Sequence, residues 1–94
     1  MKTEDFLDER AKTHGLFFTH AQVSMALKQT VRHHIYEQDK KLEPDQWEAL
    51  EMICHKIGRI VNGDHNHVDH WDDIQGYARL VANRLRKDTN TAPF

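Results

Sequence analysis

Apolar side chains recur at helical spacing in three long stretches of the chain. Val23, Leu27, Val31 and Ile35 fall four apart, joined by Met25 and Ala26, and predict an amphipathic helix running to about Glu37. Thr19 is its expected N-cap, with Gln22 in the capping-box position. Trp47, Leu50, Cys54, Ile57 and Val61, widened by Ile53 and Ile60, predict a second helix. Pro44 and Asp45 suit its first turn, and Asn62-Gly63 ends it. Trp71, Ile74, Ala78, Val81 and Leu85 predict a third helix packed along this stripe, with Asp69 as cap and Asp72 three residues on. A shorter pattern from Thr3 to Lys12 places Phe6, Leu7 and Ala11 inward, and His14-Gly15 marks the turn after it.

The polar runs Gln38–Glu43 and Asp64–Val68 read as loops. No segment alternates with period two. The expected fold is therefore all-α: a compact bundle of three long helices plus a short N-terminal one. Residues 1–87 form one domain, followed by a flexible tail over 88–94. Gly76 interrupts the last helix at a cost of roughly 1 kcal/mol relative to alanine. Close approach of a neighbouring helix would account for it.

Length and charge narrow the picture. A chain of 94 residues buries only part of its apolar surface, and self-association is the expected remedy. Hydrophobic residues at 38% and charged residues at 30% suit a folded soluble chain rather than a disordered one. No apolar run approaches the roughly 20 residues that span a bilayer, and the opening MKTEDFLDER lacks a signal core. Cys54 is the only cysteine and lies on an apolar stripe, so it reads as buried and inert in a reducing cytoplasm. A net charge of −2 argues against nucleic acid as a partner. The basic groups at Arg32-His33-His34, Lys40-Lys41 and Arg84-Arg86-Lys87 read as solvated helix ends.

Candidate chemistry gathers between Glu48 and Tyr77. Glu48-x-x-Glu51 sets two carboxylates one turn apart, and Asp69 and Asp73 do so on the next helix. Carboxylates brought together need a cation, a base or a raised pKa. Mg²⁺ fits, because it takes oxygen ligands and shares them with phosphates. Acids in a first helical turn are also favoured by the dipole alone. Lys56 and Arg59, three apart, would meet phosphates or pair with Asp73. Tyr77 lies one turn after Asp73, within reach of the same cleft. His65, His67 and His70 could take a transition metal, although their spacing matches no standard zinc motif.

Asp8-Glu9-Arg10-Ala11-Lys12-Thr13-His14-Gly15, Glu48-Ala49-Leu50-Glu51-Met52-Ile53 with Lys56 and Arg59, and Asp73-Ile74-x-Gly76-Tyr77-Ala78 carry a resemblance. On these segments the chain resembles a small phage and prophage family of unknown function. More distantly it is similar to the MazG-like all-α nucleotide pyrophosphohydrolases and nucleotide-modification-associated domains. In that group an ExxE pair and an ExxD pair hold Mg²⁺ at nucleotide phosphates. Here Glu48-x-x-Glu51 matches the first, and Asp69-x-x-Asp72 stands in place of the second. The resemblance implies a cytoplasmic, phage-encoded protein that binds a nucleotide or nucleotide-derived signal in an interhelical or intersubunit cleft. Lys56, Arg59, Tyr77 and His14 would be the nucleotide-binding residues, and Glu48, Glu51, Asp69 and Asp73 the metal ligands. The enzyme this implies is at most a Mg²⁺-dependent nucleotide pyrophosphohydrolase. A non-catalytic binder of the nucleotide, or of a host protein that it inhibits, fits the sequence equally well.

Overall fold

The structure, a computed structural model, describes residues 12–89. Among them are three long helices, α1 (Phe17–Glu37), α2 (Pro44–Asn62) and α3 (Val68–Asp88). No strand is present among the described residues. Residues 12–14 are helical as well, whereas the helix expected from Thr3 otherwise lies outside the described residues. So does most of the tail expected over 88–94; α3 itself includes Asp88, and Thr89 closes it with a backbone bond to Leu85 of 3.0 Å.

Helix starts differ by a turn or less from the sequence pattern. α1 begins at Phe17, and Thr19 turns its hydroxyl back to the Leu16 carbonyl at 3.1 Å instead of capping. α2 begins at Pro44 as expected, with Glu43 as N-cap; the Glu43 amide donates to Gln46 Oε1 at 2.8 Å. α3 starts one residue before Asp69, which sits in its first turn rather than at the cap.

The three helices pack as an all-α bundle with α2 as its central member. α2 packs against both α1 and α3, which make no contact with each other. Three helices side by side form one layer, and one layer encloses little. The buried apolar side chains among the described residues are Ile35, Ala49, Cys54 and Ile60. Burial raises the Cys54 thiol pKa above its usual value, in keeping with an inert cysteine. The stripe expected to bury α3 is covered only in part: Ile74 and Val81 are half-buried, while Trp71 is 53% exposed and Leu85 39%. His70 is the one buried residue of α3, set against the N-terminal segment, and Arg84 binds Asp45 of α2.

Two glycines let the N-terminal segment cross the end of α2. Gly15 has φ +79°, and a Cβ there would collide with the Asn62 backbone. A Cβ at Gly63 would collide with the Thr13 carbonyl. The contact is sealed by a bond from the Asp64 amide to that carbonyl at 2.9 Å.

Candidate functional site

α2 and α3 bring three of the expected site residues together. Lys56 Nζ lies 2.7 Å from Asp73 Oδ2. The Lys56 side chain is largely covered, at 16% exposure, while Asp73 is 46% exposed. The ammonium beside Asp73 holds its carboxyl below the usual carboxylate range. Asp73 and Tyr77, one turn apart, line an open hollow of about 420 Å³ on the flank of α3. Asp72, Arg79, Leu80 and Asn83 complete its wall, and Gly76 leaves its floor bare. A Cβ at Gly76 would meet nothing within 4 Å, so no neighbouring helix approaches it here, contrary to the expectation from sequence. Lys56 was expected beside acids; Arg79 and Asn83 were not singled out, since exposed polar side chains late in a helix carry no pattern of their own.

The remaining expected residues are placed elsewhere. Glu51 forms an ion pair with Arg32 of α1, and Glu48 is exposed on α2. Asp69 lies 3.6 Å from His67 at the start of α3. Among the described residues no three His, Cys, Asp or Glu side chains are grouped so that they could hold a metal ion. Glu48, Glu51, Asp69 and Asp73 therefore do not form the expected Mg²⁺ set in this arrangement, because Glu51, Asp69 and Asp73 each meet a different basic partner and Glu48 faces solvent. His14 is likewise remote from the hollow. Its ring packs on His70 at 5.0 Å and on His67 at 6.2 Å, under the loop between α2 and α3. His70 is 2% exposed, and its Nε2 donates to the Thr13 carbonyl at 3.2 Å. His70 is thus part of the fold, whereas His65 is exposed and its carbonyl accepts the Trp71 indole N–H at 2.9 Å. The three loop histidines therefore do not act as one set.

Arg59 points into a second polar cluster that the sequence did not announce. Arg59 Nε donates to His55 Nε2 at 3.2 Å, and His55 Nδ1 lies 3.3 Å from His20 Nε2. Arginine only donates, so His55 Nε2 must accept. His55 then carries its proton on Nδ1 and donates to His20. His20, 3% exposed, keeps its own proton on Nδ1 over Gly58. Burial pushes His55 down to about 4, helped by the positive fields of Arg59, Lys28 and Lys56. His20 is lowered by burial and by Arg59. Both rings are neutral at pH 7, surrounded by three cations. Residues 20 and 55 lie far apart in sequence, so only the packing of α1 on α2 could reveal the pair.

The hollow presents charges of both signs, the carboxylates of Asp72 and Asp73 and the guanidinium of Arg79. Cations concentrate along one side of α2, and an aromatic ring and amide stand in the adjoining hollow. Comparison of the chain with protein-family models, curated proteins and solved structures found no match.

Proposed function

We propose that this protein binds a nucleotide or nucleotide-derived signal in the hollow beside α3, as a phage-encoded, MazG-like helical protein acting in the bacterial cytoplasm. The reading is supported most by Asp73 and Tyr77 lining one open cavity, with Lys56 ion-paired to Asp73. Its volume, about 420 Å³, falls in the range of small-molecule sites. Lys56 and Arg79 meet the phosphates, with Arg59 adding positive field from the next turn of α2. Tyr77 packs against the base or sugar. Asp73 and Asp72 would hold a Mg²⁺ brought with the phosphates, since this ion needs only one or two carboxylates beside phosphate and water, and it would polarise the pyrophosphate. Hydrolysis, where it occurs, is metal-assisted attack of water on the pyrophosphate.

Thermal melting against a panel of nucleoside mono-, di- and triphosphates, with and without Mg²⁺, tests this. A ligand at about one hundred times its Kd adds roughly 2.7 kcal/mol. Lys56→Met and Tyr77→Ala should lose that gain. A flat response to every nucleotide contradicts the reading. It would favour the second one, a non-catalytic inhibitor of a host protein, which rests on Leu16, Phe17 and Phe18. These adjacent side chains are 65%, 78% and 73% exposed, an apolar cluster suited to a protein partner.

A further inference from the structure

We infer that a small inorganic oxyanion of the phosphate and sulfate class binds between α1 and α2, inserted between the Arg59 guanidinium and the His55 ring with Lys28 beside them. The site is distinct from the hollow on α3 and lies in the seam where α1 packs on α2. There Arg59 Nε donates to His55 Nε2 at 3.2 Å, and His55 Nδ1 lies 3.3 Å from His20 Nε2. His20 is 3% exposed and seals the inner end. His55, Arg59 and Lys28 are half-buried, so a small ion can reach them from solvent.

Charge is out of balance along this seam. His20 and Lys28 face His55 from α1, and Lys56 and Arg59 from α2; the formal charges acting most on the ring are all positive. The carboxylates nearby are engaged elsewhere. Glu51, one turn before His55, pairs with Arg32, and Asp73 of α3 pairs with Lys56. Among the described residues no carboxylate pairs with Lys28. The Arg59 Nε–H therefore ends on a neutral nitrogen with a single lone pair. An oxyanion is the stronger acceptor: it brings opposite charge and several lone pairs, and the arginine fork suits phosphate-type oxygens. With the anion between them, Arg59 and a protonated His55 Nε2–H both donate to it, while His55 Nδ1–H keeps its bond to His20. The meeting of N–H with N–H that bars a charged His55 in direct contact with Arg59 is thereby relieved. Each anion is taken up with one proton from solvent. The gap between two packed helices suits a compact ion rather than a nucleoside.

The site does not rest on the nucleotide reading. Sulfate is the probe, since it stays doubly charged across the pH range used. Amide NMR of the full chain follows a sodium sulfate titration at pH 7.5 and 5.5, against sodium chloride of equal ionic strength. Saturable shifts should appear at residues 20–28 of α1 and 55–59 of α2. An anion that returns the His55 ring from about 4 to its ordinary 6.5 should bind about tenfold tighter at pH 5.5 than at 7.5. His55→Gln still joins Arg59 to His20 but takes no proton, so its sulfate affinity should be equal at both pH values. Lys28→Gln, at a half-buried position, should fold and bind sulfate several-fold more weakly at both. Should His55→Gln fail to fold, the wild-type affinity ratio and Lys28→Gln decide. Adenosine monophosphate at the same concentration should leave residues 20–28 unmoved. No saturable response to sulfate, one affinity at both pH values in the wild type, a pH dependence retained in His55→Gln, an affinity unchanged in Lys28→Gln, or a response of residues 20–28 to adenosine monophosphate equal to that for sulfate would each overturn the inference.

Discussion

Lowering the pH should unlock the contact between α1 and α2 at His20 and His55. The Arg59–His55–His20 chain has one direction, and every acceptor in it is a neutral imidazole nitrogen. A proton added to His55 would set its Nε2–H against the Arg59 N–H. A proton added to His20 would set N–H against N–H between the rings. Folding therefore holds both rings unprotonated. His55 drops from 6.5 to about 4 on folding. A folded pKa below the unfolded one means that the unfolded chain binds the extra proton first. The stabilisation is complete above 6.5 and is lost as pH falls toward 4. Between pH 7.5 and 5 these values correspond to about 2 kcal/mol from His55, trimmed to about 1–2 by partial access to solvent. Buried His20 is shifted the same way and adds to the loss. Urea titrations at pH 7.5, 6.5, 5.5 and 5 would measure it, a window chosen above the carboxylate range. His55→Gln can accept from Arg59 and donate to His20 without titrating, so its stability should fall less steeply. Equal slopes for wild type and His55→Gln would refute the reasoning.

Gly58→Ala should lower stability by about 1–2 kcal/mol, read as a drop in urea midpoint, because its Cβ would stand 2.7 Å from His20 Nδ1. Gly76→Ala should do the reverse and gain about 1 kcal/mol from helix propensity, since nothing lies within 4 Å of its Cβ. Cys54 should resist a thiol reagent in the native protein and react at once in denaturant, given its burial and raised pKa. Arg84→Met should lower the melting temperature at neutral pH. Its effect should shrink below about pH 4, where Asp45, held low by the Arg84 guanidinium, takes up its proton and releases that stabilisation.

The helices were legible because spacing of three and four residues dictates one apolar face wherever the chain packs. Pro44 and Asn62-Gly63 marked the bounds of α2 through chemistry local to the backbone. The partner of each face was not legible. Trp71, Ala78 and Leu85 read as core but are exposed, while the Lys56–Asp73 and Arg84–Asp45 ion pairs join α3 to α2. The Lys56–Asp73 pairing was foreseeable, as an adjacent base and acid on consecutive helices. The division of the carboxylates was not, for Glu51 pairs with Arg32, a residue whose sequence context read as a solvated helix end. The histidine chain depended on two rings 35 positions apart and gave no local signal.

Backbone amide NMR during nucleotide titration tests the central claim most directly, because it reports where a ligand sits. Adding a nucleoside triphosphate with Mg²⁺ should move the amides of residues 56–59 on α2 and 72–83 on α3, while 23–31 on α1 stay still. Spectra unchanged by every nucleotide, or shifts confined to α1, would contradict it.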